Sequence, residues 1–211
     1  MSQQFELFHY WRSSCSWRLR WALNIKNISY KSTPVNLLKG EQNEAWFKQK
    51  NPSGTVPSLV VGSKVFTESL AAIEWLDETV AHNPLLPSNP DDRARARELA
   101  YATAMSIQPI QNLKVMKHVA QDQSKRIAFA HHWISQGLEP LEKKLQPTAG
   151  TYSIGGHITI ADLCLVPQVY NALRFNVDMT KFPTIMSIYN NCLKTKECES
   201  AAPHNQPGAA P

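Results

Sequence analysis

Three prolines punctuate residues 82–90, a segment without hydrophobic periodicity. Because proline lacks a main-chain N–H and interrupts helices and strands, we interpret this segment as a linker. Before it, short apolar runs alternate with amphipathic stretches, whereas after it apolar residues recur only at the spacing of helices. The sequence therefore predicts an α/β domain over residues 1–81 and an all-helical domain over residues 91–199.

The first domain contains the elements of a small mixed sheet. Residues 5–8 form a short apolar run, residues 17–27 carry apolar side chains at helical spacing, and residues 28–35 form a second run. A strand, a helix and a strand joined so tightly make a right-handed parallel unit. A Gly-Ser pair at 62–63 then separates two further runs, which predicts a hairpin. A helix that Ser69 could cap follows.

The second domain is predicted to be helical throughout. A long helix should begin near Asp91 and be kinked by Pro109. Thr159 and Asp162 have the spacing of a capping box, in which each side chain bonds a main-chain N–H near the helix start, so we interpret Asp162 as a structural residue. Residues 200–211, rich in Ala and Pro, are predicted to be a disordered tail.

Charge and cysteine usage argue against several functional classes. The net charge of +5 over 211 residues is modest and spread along the chain, so nucleic-acid binding is not expected. The four cysteines form no Cys-x-x-Cys pair and no Cys/His cluster at zinc spacing. This favours a reducing compartment, the cytoplasm, and no metal site. We see no apolar stretch of transmembrane length and no secretory leader, so no membrane association is expected.

The stretch with the most chemical character is residues 12–20, Arg-Ser-Ser-Cys-Ser-Trp-Arg-Leu-Arg, just past the first strand. Ser13, Ser14 and Cys15 would lie at the amino terminus of a helix, where unpaired N–H groups and a partial positive charge stabilise an anion. A thiolate is such an anion. The corner is therefore predicted to hold the sulfur of Cys15 or of a bound thiol. The alternative is that a serine only caps the helix.

Basic side chains accompany this corner. Arg12, Arg18 and Arg20 suggest a small acidic ligand, and the alternative is a set of solvated arginines on a helix face.

Two dipeptides connect the predicted architecture to a known one. Val56-Pro57, just before a strand, resembles the cis-proline element of thioredoxin-like folds, in which a main-chain amide and carbonyl face a thiol ligand. Glu68-Ser69, at a helix start, resembles the γ-glutamyl site of cytosolic glutathione transferases. The Ser69 hydroxyl and the helix-start amides suit a carboxylate, and Glu68 suits an ammonium group.

Residues 13–20, Ser-Ser-Cys-Ser-Trp-Arg-Leu-Arg, resemble the SSCSWRVR signature of the zeta class of glutathione transferases, the maleylacetoacetate isomerases. Residues 108–113, 161–169 and 174–178 resemble further zeta segments. The resemblance covers the chain to about residue 199. It implies a thioredoxin-like α/β domain followed by an all-α domain.

The resemblance also implies a cofactor and its site. The cofactor is glutathione. We predict that Ser13, Ser14 and Cys15 are the catalytic residues, with the Ser13 hydroxyl as the main stabiliser of the thiolate and the other two supporting it. The implied cofactor-binding residues are Ser13, Ser14, Cys15, Gln42, Val56, Pro57, Glu68, Ser69, Gln108 and Asn112.

The substrate implied by the resemblance is a small acid. Arg12, Lys114 and Arg174 are candidates for binding its carboxylates, with Arg174 the best because its zeta segment is matched. This chain departs from some members at Glu68, where they carry Gln, and members differ at the position of Lys114. The cation at 114 therefore bears on which acid is accepted.

The activity implied by the resemblance is a cis–trans isomerisation. Glutathione thiolate adds to the cis double bond of maleylacetoacetate, rotation follows about the single bond, and elimination leaves fumarylacetoacetate. The same thiolate could displace halide from small α-haloacids. Members are usually homodimers. Alternatives are a maleylpyruvate isomerase, a non-catalytic module that binds glutathione, and a transferase in which Cys15 forms a mixed disulfide.

Overall fold

The computed structural model describes residues 4–209. They fall into two compact units. The α/β unit comprises the chain up to Leu85 together with the segment from Thr195 onward, and the helical unit comprises Leu86–Lys194. The division after Leu85 lies inside the segment that we interpret as a linker.

The α/β unit is built on one four-stranded sheet with the strand order β2-β1-β3-β4. Strand β2 runs parallel to β1, whereas β3 runs antiparallel to β1 and β4 antiparallel to β3, which confirms the predicted mixed sheet and hairpin. The elements of this unit up to Leu85 are β1 (Phe5–His9), α1 (Ser14–Ile25), β2 (Lys31–Pro34), α2 (Ala45–Lys48), β3 (Ser58–Val61), β4 (Lys64–Phe66) and α3 (Ser69–Thr79).

The helical unit contains α4 (Pro90–Tyr101), α5 (Leu113–Val119), α6 (Gln123–Leu145), α7 (Ile160–Arg174) and α8 (Pro183–Leu193). Helix α7 forms its centre, because most of its residues are buried. Within residues 4–209 we find no helix that combines the length and the apolar character needed to cross a bilayer.

The long helix predicted from Asp91 is interrupted before Pro109. After α4 the chain forms a π-helical segment, Ala102–Ile107, and then a 3-10 turn, Gln108–Gln111. Proline cannot donate the α-helical hydrogen bond and its ring crowds the preceding turn, so the helix changes geometry rather than bending smoothly. The π-helical segment packs closely on α6, since a Cβ on Gly137 would lie 2.5 Å from Cγ1 of Ile107.

The capping box at the start of α7 is confirmed. The main-chain N–H of Thr159 donates to Oδ2 of Asp162 at 2.8 Å, and the Thr159 hydroxyl oxygen accepts from the N–H of Ala161. The second carboxylate oxygen accepts from the N–H of Ser153 at 2.8 Å. Burial raises the pKa of Asp162, and these hydrogen bonds oppose that shift. Asp162 is therefore a structural residue, as predicted.

The prediction of a disordered tail over residues 200–211 is wrong for the residues that the structure describes. Helix α9 (Lys196–Ala201) and a 3-10 turn follow Thr195 and pack against α1. The carbonyl of Ala201 accepts from Nε of Arg20 at 2.9 Å. Helix α9 therefore belongs to the α/β unit, whereas the predicted boundary at residue 199 placed most of it in the helical domain. Residues 210 and 211 lie outside the described part of the chain.

Arg20 is the centre of a buried polar network. It is fully buried, and besides Ala201 it donates to the carbonyl of Trp11 at 3.0 Å and to that of Tyr10 at 3.4 Å. Its Nη1 also lies 3.3 Å from Nδ1 of His9, which accepts, so Nε2 of His9 carries the proton and donates to the Ser32 hydroxyl. Burial lowers the pKa of Arg20 to about 9, so the guanidinium stays charged at neutral pH.

Acidification should destabilise the fold through His9. Burial, with the Arg20 charge second, lowers the pKa of His9 to about 3, against 6.5 for an unperturbed histidine. Between these values the unfolded chain binds a proton that the folded chain excludes. The stabilisation is therefore complete above pH 6.5 and is lost as the pH falls toward 3. The free energy of unfolding should decline by about 1.4 kcal/mol per pH unit well below 6.5.

Urea titrations at pH 7, 6 and 5 measure this decline. His9→Gln retains a donor and an acceptor but removes the titration, so its stability should depend less on pH than that of the natural chain. His118→Gln, on an exposed side chain, serves as the matched control and should keep the full dependence. Equal slopes for all three chains would contradict the assignment.

Candidate functional site

The sheet topology brings four loops to one edge. Phe8 pairs with Ser58 and Leu59 pairs with Phe66, while His9 lies beside Pro34. The carboxyl ends of β1, β2 and β4 therefore meet the amino end of β3. The segments at this edge carry every predicted site residue of the α/β unit, which are Arg12, Ser13, Ser14, Cys15, Gln42, Val56, Pro57, Glu68 and Ser69.

Ser13 is the N-cap of α1. Its hydroxyl oxygen accepts from the main-chain N–H of Ser16 at 3.2 Å, so this serine does cap the helix, as the alternative interpretation proposed. A hydroxyl also has a proton to donate. Within residues 4–209 no group accepts the Ser13 proton, so capping the helix leaves this hydroxyl able to donate to an anion.

The side chains after Ser13 differ in exposure. Ser14 and Ser16 are buried, and the Ser16 hydroxyl accepts from the N–H of Tyr10 at 3.4 Å, which ties the loop to the helix start. Cys15 is half-buried, whereas Cys198 is fully buried. Burial, with the charges of Glu199 and Glu197 adding to it, raises the pKa of Cys198 to about 12. Cys15 is therefore the accessible thiol of this unit.

Alkylation should distinguish the cysteines. Iodoacetamide at neutral pH should label Cys15 in the folded chain, because only thiols that reach solvent and ionise react. Cys164, Cys192 and Cys198 are fully buried and should react only after unfolding. Peptide mapping by mass spectrometry measures the sites, and Cys15→Ala should abolish native labelling. Rapid labelling of Cys198 in the folded chain would contradict the structure.

Val56 and Pro57 precede β3 at the same edge. The peptide bond between them is cis, as the resemblance implied. Val56 is 8 % exposed, and among the described residues its main-chain N–H and carbonyl make no hydrogen bond. An extended peptide ligand can satisfy both groups, since each main-chain donor and acceptor requires a partner.

Glu68 and Ser69 form the start of α3. The N-cap is Glu68, so the prediction that Ser69 caps this helix is wrong; Ser69 is the first helical residue. The exposed Glu68 carboxylate has no ion-pair or hydrogen-bond partner within residues 4–209, which leaves it available to a ligand cation. Ser69 is 6 % exposed, and its hydroxyl oxygen accepts from Nη1 of Arg18 at 3.3 Å.

Gln42 has a polar atom whose partner is missing from the described chain. It lies in the 3-10 turn Glu41–Asn43 after β2, and its Oε1 is buried without a hydrogen-bond partner in residues 4–209. An orphaned acceptor costs free energy unless a ligand or water satisfies it. Together with the open groups of Val56 and the free carboxylate of Glu68, it fits a peptide that carries N–H groups and an ammonium group.

The helical unit carries the remaining predicted residues. Gln108 is 9 % exposed, and its Nε2 donates to Oδ1 of Asn112 at 2.9 Å, so these two side chains do lie together. Lys114 is exposed near the start of α5 and forms no ion pair in the described chain. Arg174 ends α7, where its Nη1 donates to Oδ1 of Asn171 at 3.0 Å. The guanidinium carbon also lies 5.3 Å from the ring centre of Phe175.

The three arginines predicted to accompany Ser13, Ser14 and Cys15 differ in their burial. Arg18 is 3 % exposed and Arg20 is fully buried, so neither is a solvated residue on a helix face. Arg12 is half-buried, with its guanidinium carbon 5.0 Å from the ring centre of Trp11. Of the three arginines, Arg12 remains the candidate for a direct contact with an acid.

Sequence reasoning did not identify the contact between Arg18 and Ser69. A signal was present, because α1 has apolar or small residues around its whole circumference and so lacks a polar face on which an arginine could be solvated. Among the described residues, no group of three or more His, Cys, Asp or Glu side chains forms a possible metal site.

A thioredoxin-like α/β unit with a thiol corner, together with an all-helical unit, defines the architecture of the cytosolic glutathione transferases. The family models for the N-terminal and C-terminal domains of glutathione S-transferase match residues 12–79 and 108–204. Over 207 residues the chain is 42% identical to probable maleylacetoacetate isomerase 2 of Drosophila melanogaster, covering 97% of this chain and 90% of that one. Over 203 residues it is 43% identical to maleylacetoacetate isomerase of Mus musculus, covering 95% and 93%.

Solved structures agree with these relatives. A holo maleyl pyruvate isomerase, described as a bacterial glutathione S-transferase of the zeta class, matches with a TM-score of 0.94 and 39% identity over 97% of this chain and 100% of that one. Maleylacetoacetate isomerase from Anaeromyxobacter dehalogenans, with GSH bound in its active site, matches with a TM-score of 0.92 and 36% identity over 99% of each chain. The chain belongs to the glutathione transferase family, in the zeta class of the maleylacetoacetate isomerases.

Proposed function

We propose that this chain catalyses the glutathione-dependent isomerisation of maleylacetoacetate to fumarylacetoacetate. The observation that carries the proposal is the Ser13 hydroxyl, which caps α1 through its oxygen and keeps its proton for an anion at the helix start. A module that had lost its chemistry would not need this corner. Transfer of glutathione to small α-haloacids is a second reaction that the same thiolate would support.

The α/β unit supplies the proposed glutathione site. Glu68 holds the ammonium group, Ser69 and the helix-start N–H groups hold the γ-glutamyl carboxylate, and Val56 pairs its main-chain groups with the cysteinyl residue. Gln42, Pro57, Ser14 and Cys15 line the same sheet edge. When bound, glutathione supplies a thiolate that adds reversibly to the cis double bond of the substrate. The assignment of Gln108 and Asn112 as cofactor-binding residues stays a prediction.

The task of the thiol corner is to keep a sulfur ionised. A free thiol with a pKa of about 8.5 is mostly protonated at neutral pH, and lowering that pKa by about two units requires about 2.7 kcal/mol. A hydrogen bond from the Ser13 hydroxyl to a charged acceptor contributes about 1.5–3 kcal/mol. The N-terminus of α1 adds about 0.3–1 kcal/mol. Together the two contributions amount to about 1.8–4 kcal/mol, a range that includes the required free energy.

Substrate carboxylates require cations. We propose that Arg174 binds one of them, because Asn171 and Phe175 hold its guanidinium while the side chain stays exposed. Arg12 and Lys114 are further candidates. A cation near the conjugated carbonyl also stabilises the negative charge that develops there during addition.

The test is a spectroscopic assay of maleylacetoacetate isomerisation with and without glutathione. Glutathione-dependent conversion supports the proposal, and binding of glutathione without conversion of either cis acid would contradict it. The structural match to a maleyl pyruvate isomerase makes maleylpyruvate the second candidate substrate, so kcat/KM is measured for both acids. Cys15→Ala should abolish any thiol–disulfide exchange and lower isomerisation only modestly.

We further propose that the chain is a cytoplasmic homodimer. Members of the class are usually dimers, and none of the four cysteines, which all lie within residues 4–209, forms a disulfide, as a reducing compartment favours. Sedimentation equilibrium tests the oligomeric state, and a monomer at micromolar concentration would contradict it.

A further inference from the structure

Arg18 joins the two helices whose amino termini form the proposed cofactor site. It lies one helical turn after Ser14 in α1, and its Nη1 donates to the hydroxyl oxygen of Ser69 at 3.3 Å. Arg18 is 3 % exposed and Ser69 is 6 % exposed, so the bond is shielded from water. A hydrogen bond between a charged donor and a buried hydroxyl is worth more than an exposed one.

This contact determines the direction in which the Ser69 hydroxyl donates. A guanidinium has only donors and cannot be deprotonated under ordinary conditions, so Ser69 must be the acceptor. Within residues 4–209 no group accepts the Ser69 proton. The proton is therefore left for a ligand, and an ionised carboxylate, which has acceptors only, is the complementary partner.

The buried charge adds to this effect. When one hydroxyl accepts from a cation and donates to an anion, each bond polarises the other and both are strengthened in a site of low dielectric constant. The Ser69 hydroxyl would then bind a carboxylate more tightly than an ordinary serine does. Because Arg18 is only 3 % exposed, we assign its effect on a ligand to its hydrogen bond with Ser69 and not to a direct contact.

We propose that Arg18 is a positioning residue for the cofactor, which orients and polarises the Ser69 hydroxyl toward the γ-glutamyl carboxylate of glutathione. The inference rests on the proposed function, in which Ser69 binds that carboxylate. It separates Arg18 from Arg20, which lies two residues further along the same helix and donates to main-chain carbonyls instead.

Isothermal titration calorimetry with two peptides tests the inference. One is glutathione, and the other is 4-aminobutanoyl-cysteinyl-glycine, which lacks only the γ-glutamyl carboxylate. The measured quantity in each variant is the dissociation constant of the analogue divided by that of glutathione, so a high ratio means a preference for glutathione. Arg18→Met should reduce the preference for glutathione by about tenfold, because a charge-assisted bond to the carboxylate is weakened. The affinity for the analogue should change by less than about twofold.

The controls separate this effect from general damage to the unit. Arg20→Lys perturbs a buried arginine of the same helix and should change both affinities by the same factor. Ser69→Ala alone and Arg18→Lys alone should each lower the ratio. In the double variant, Arg18→Lys should lower the ratio no further than Ser69→Ala does by itself. If Arg18→Met does not fold, the comparison of Arg18→Lys with and without Ser69→Ala decides.

The possible results are distinguishable. A normal ratio in the Arg18 variants, combined with a reduced ratio in Ser69→Ala, would overturn the inference and leave the proposed function standing. A normal ratio in Ser69→Ala would overturn the assignment of Ser69 as well. The inference is supported if the ratio is reduced in the Arg18 variants and in Ser69→Ala, and if the double variant shows no further reduction.

Discussion

Ser13→Ala should lower the turnover of maleylacetoacetate by about 10- to 100-fold, because one hydrogen bond to a thiolate, worth about 1.5–3 kcal/mol, is lost. The pKa of the thiol of bound glutathione, followed by thiolate absorbance, should rise in the same variant by about 1–2 units. The two effects share one cause, so they should change together across substitutions at this position.

Capping complicates this prediction, since Ser13→Ala also removes the acceptor for the N–H of Ser16 and should destabilise α1 by about 1 kcal/mol. Ser13→Asp is the matched variant. It restores a capping oxygen but has no proton to donate, so it should recover stability and not turnover. Ser13→Thr keeps both functions of the hydroxyl and should retain activity. Turnover within about twofold of the natural chain in Ser13→Ala, or full activity in Ser13→Asp, would contradict the assignment.

Features whose causes lie within a few residues were predictable from the sequence. The capping box of Thr159 and Asp162 and the helix start at Ser13 depend on hydrogen bonds that span three positions. The cis-proline element and the fold class followed from the resemblance, and both are confirmed. The assignment of side chains to the bound cofactor stays a prediction.

Features that depend on contacts distant in sequence were not predictable. Residues 200–209 are rich in Ala and Pro and contain no large apolar side chain, a composition typical of disordered segments. Their order comes instead from donors on α1, such as Arg20, which bonds the carbonyl of Ala201 from 181 positions away. Arg18 was likewise misjudged because its partner, Ser69, is 51 positions away. The residue pattern of α1 indicates that Arg18 is buried, but neither composition nor periodicity identifies the partner of Arg18 or of Arg20.

Local rules also competed at one helix start. Ser69 is a better N-cap than Glu68 by intrinsic preference, yet the structure begins α3 one residue earlier than a Ser69 cap would require. The Ser69 hydroxyl is engaged by Arg18 instead of by the main chain of its own helix. A tertiary contact therefore overrides a capping preference at a residue proposed to bind the cofactor.

Arg20→Met should lower the free energy of unfolding by about 2–4 kcal/mol and loosen the segment from Thr195 onward. The substitution leaves the carbonyls of Trp11 and Ala201 without their donor, and each orphaned acceptor costs about 1–3 kcal/mol. The carbonyl of Tyr10 loses one donor but still accepts from the main-chain N–H of Ser13 at 3.1 Å. Burial, which lowers the pKa of Arg20, makes its charge unfavourable in the folded chain. Methionine relieves that cost, so the net loss is smaller than the sum of the three bonds.

Hydrogen exchange resolves where the loss occurs. Amides of α9 should lose protection in Arg20→Met, because their link to α1 is broken, whereas amides of α7 in the helical unit should exchange as before. Asn24→Ala is the matched control, since Asn24 also bonds α9, through the carbonyl of Glu197 and the hydroxyl of Ser200, but from a more exposed position. It should cost only about 1 kcal/mol. Unchanged protection of α9 in Arg20→Met would show that apolar packing, and not this guanidinium, holds the segment from Thr195 onward against α1.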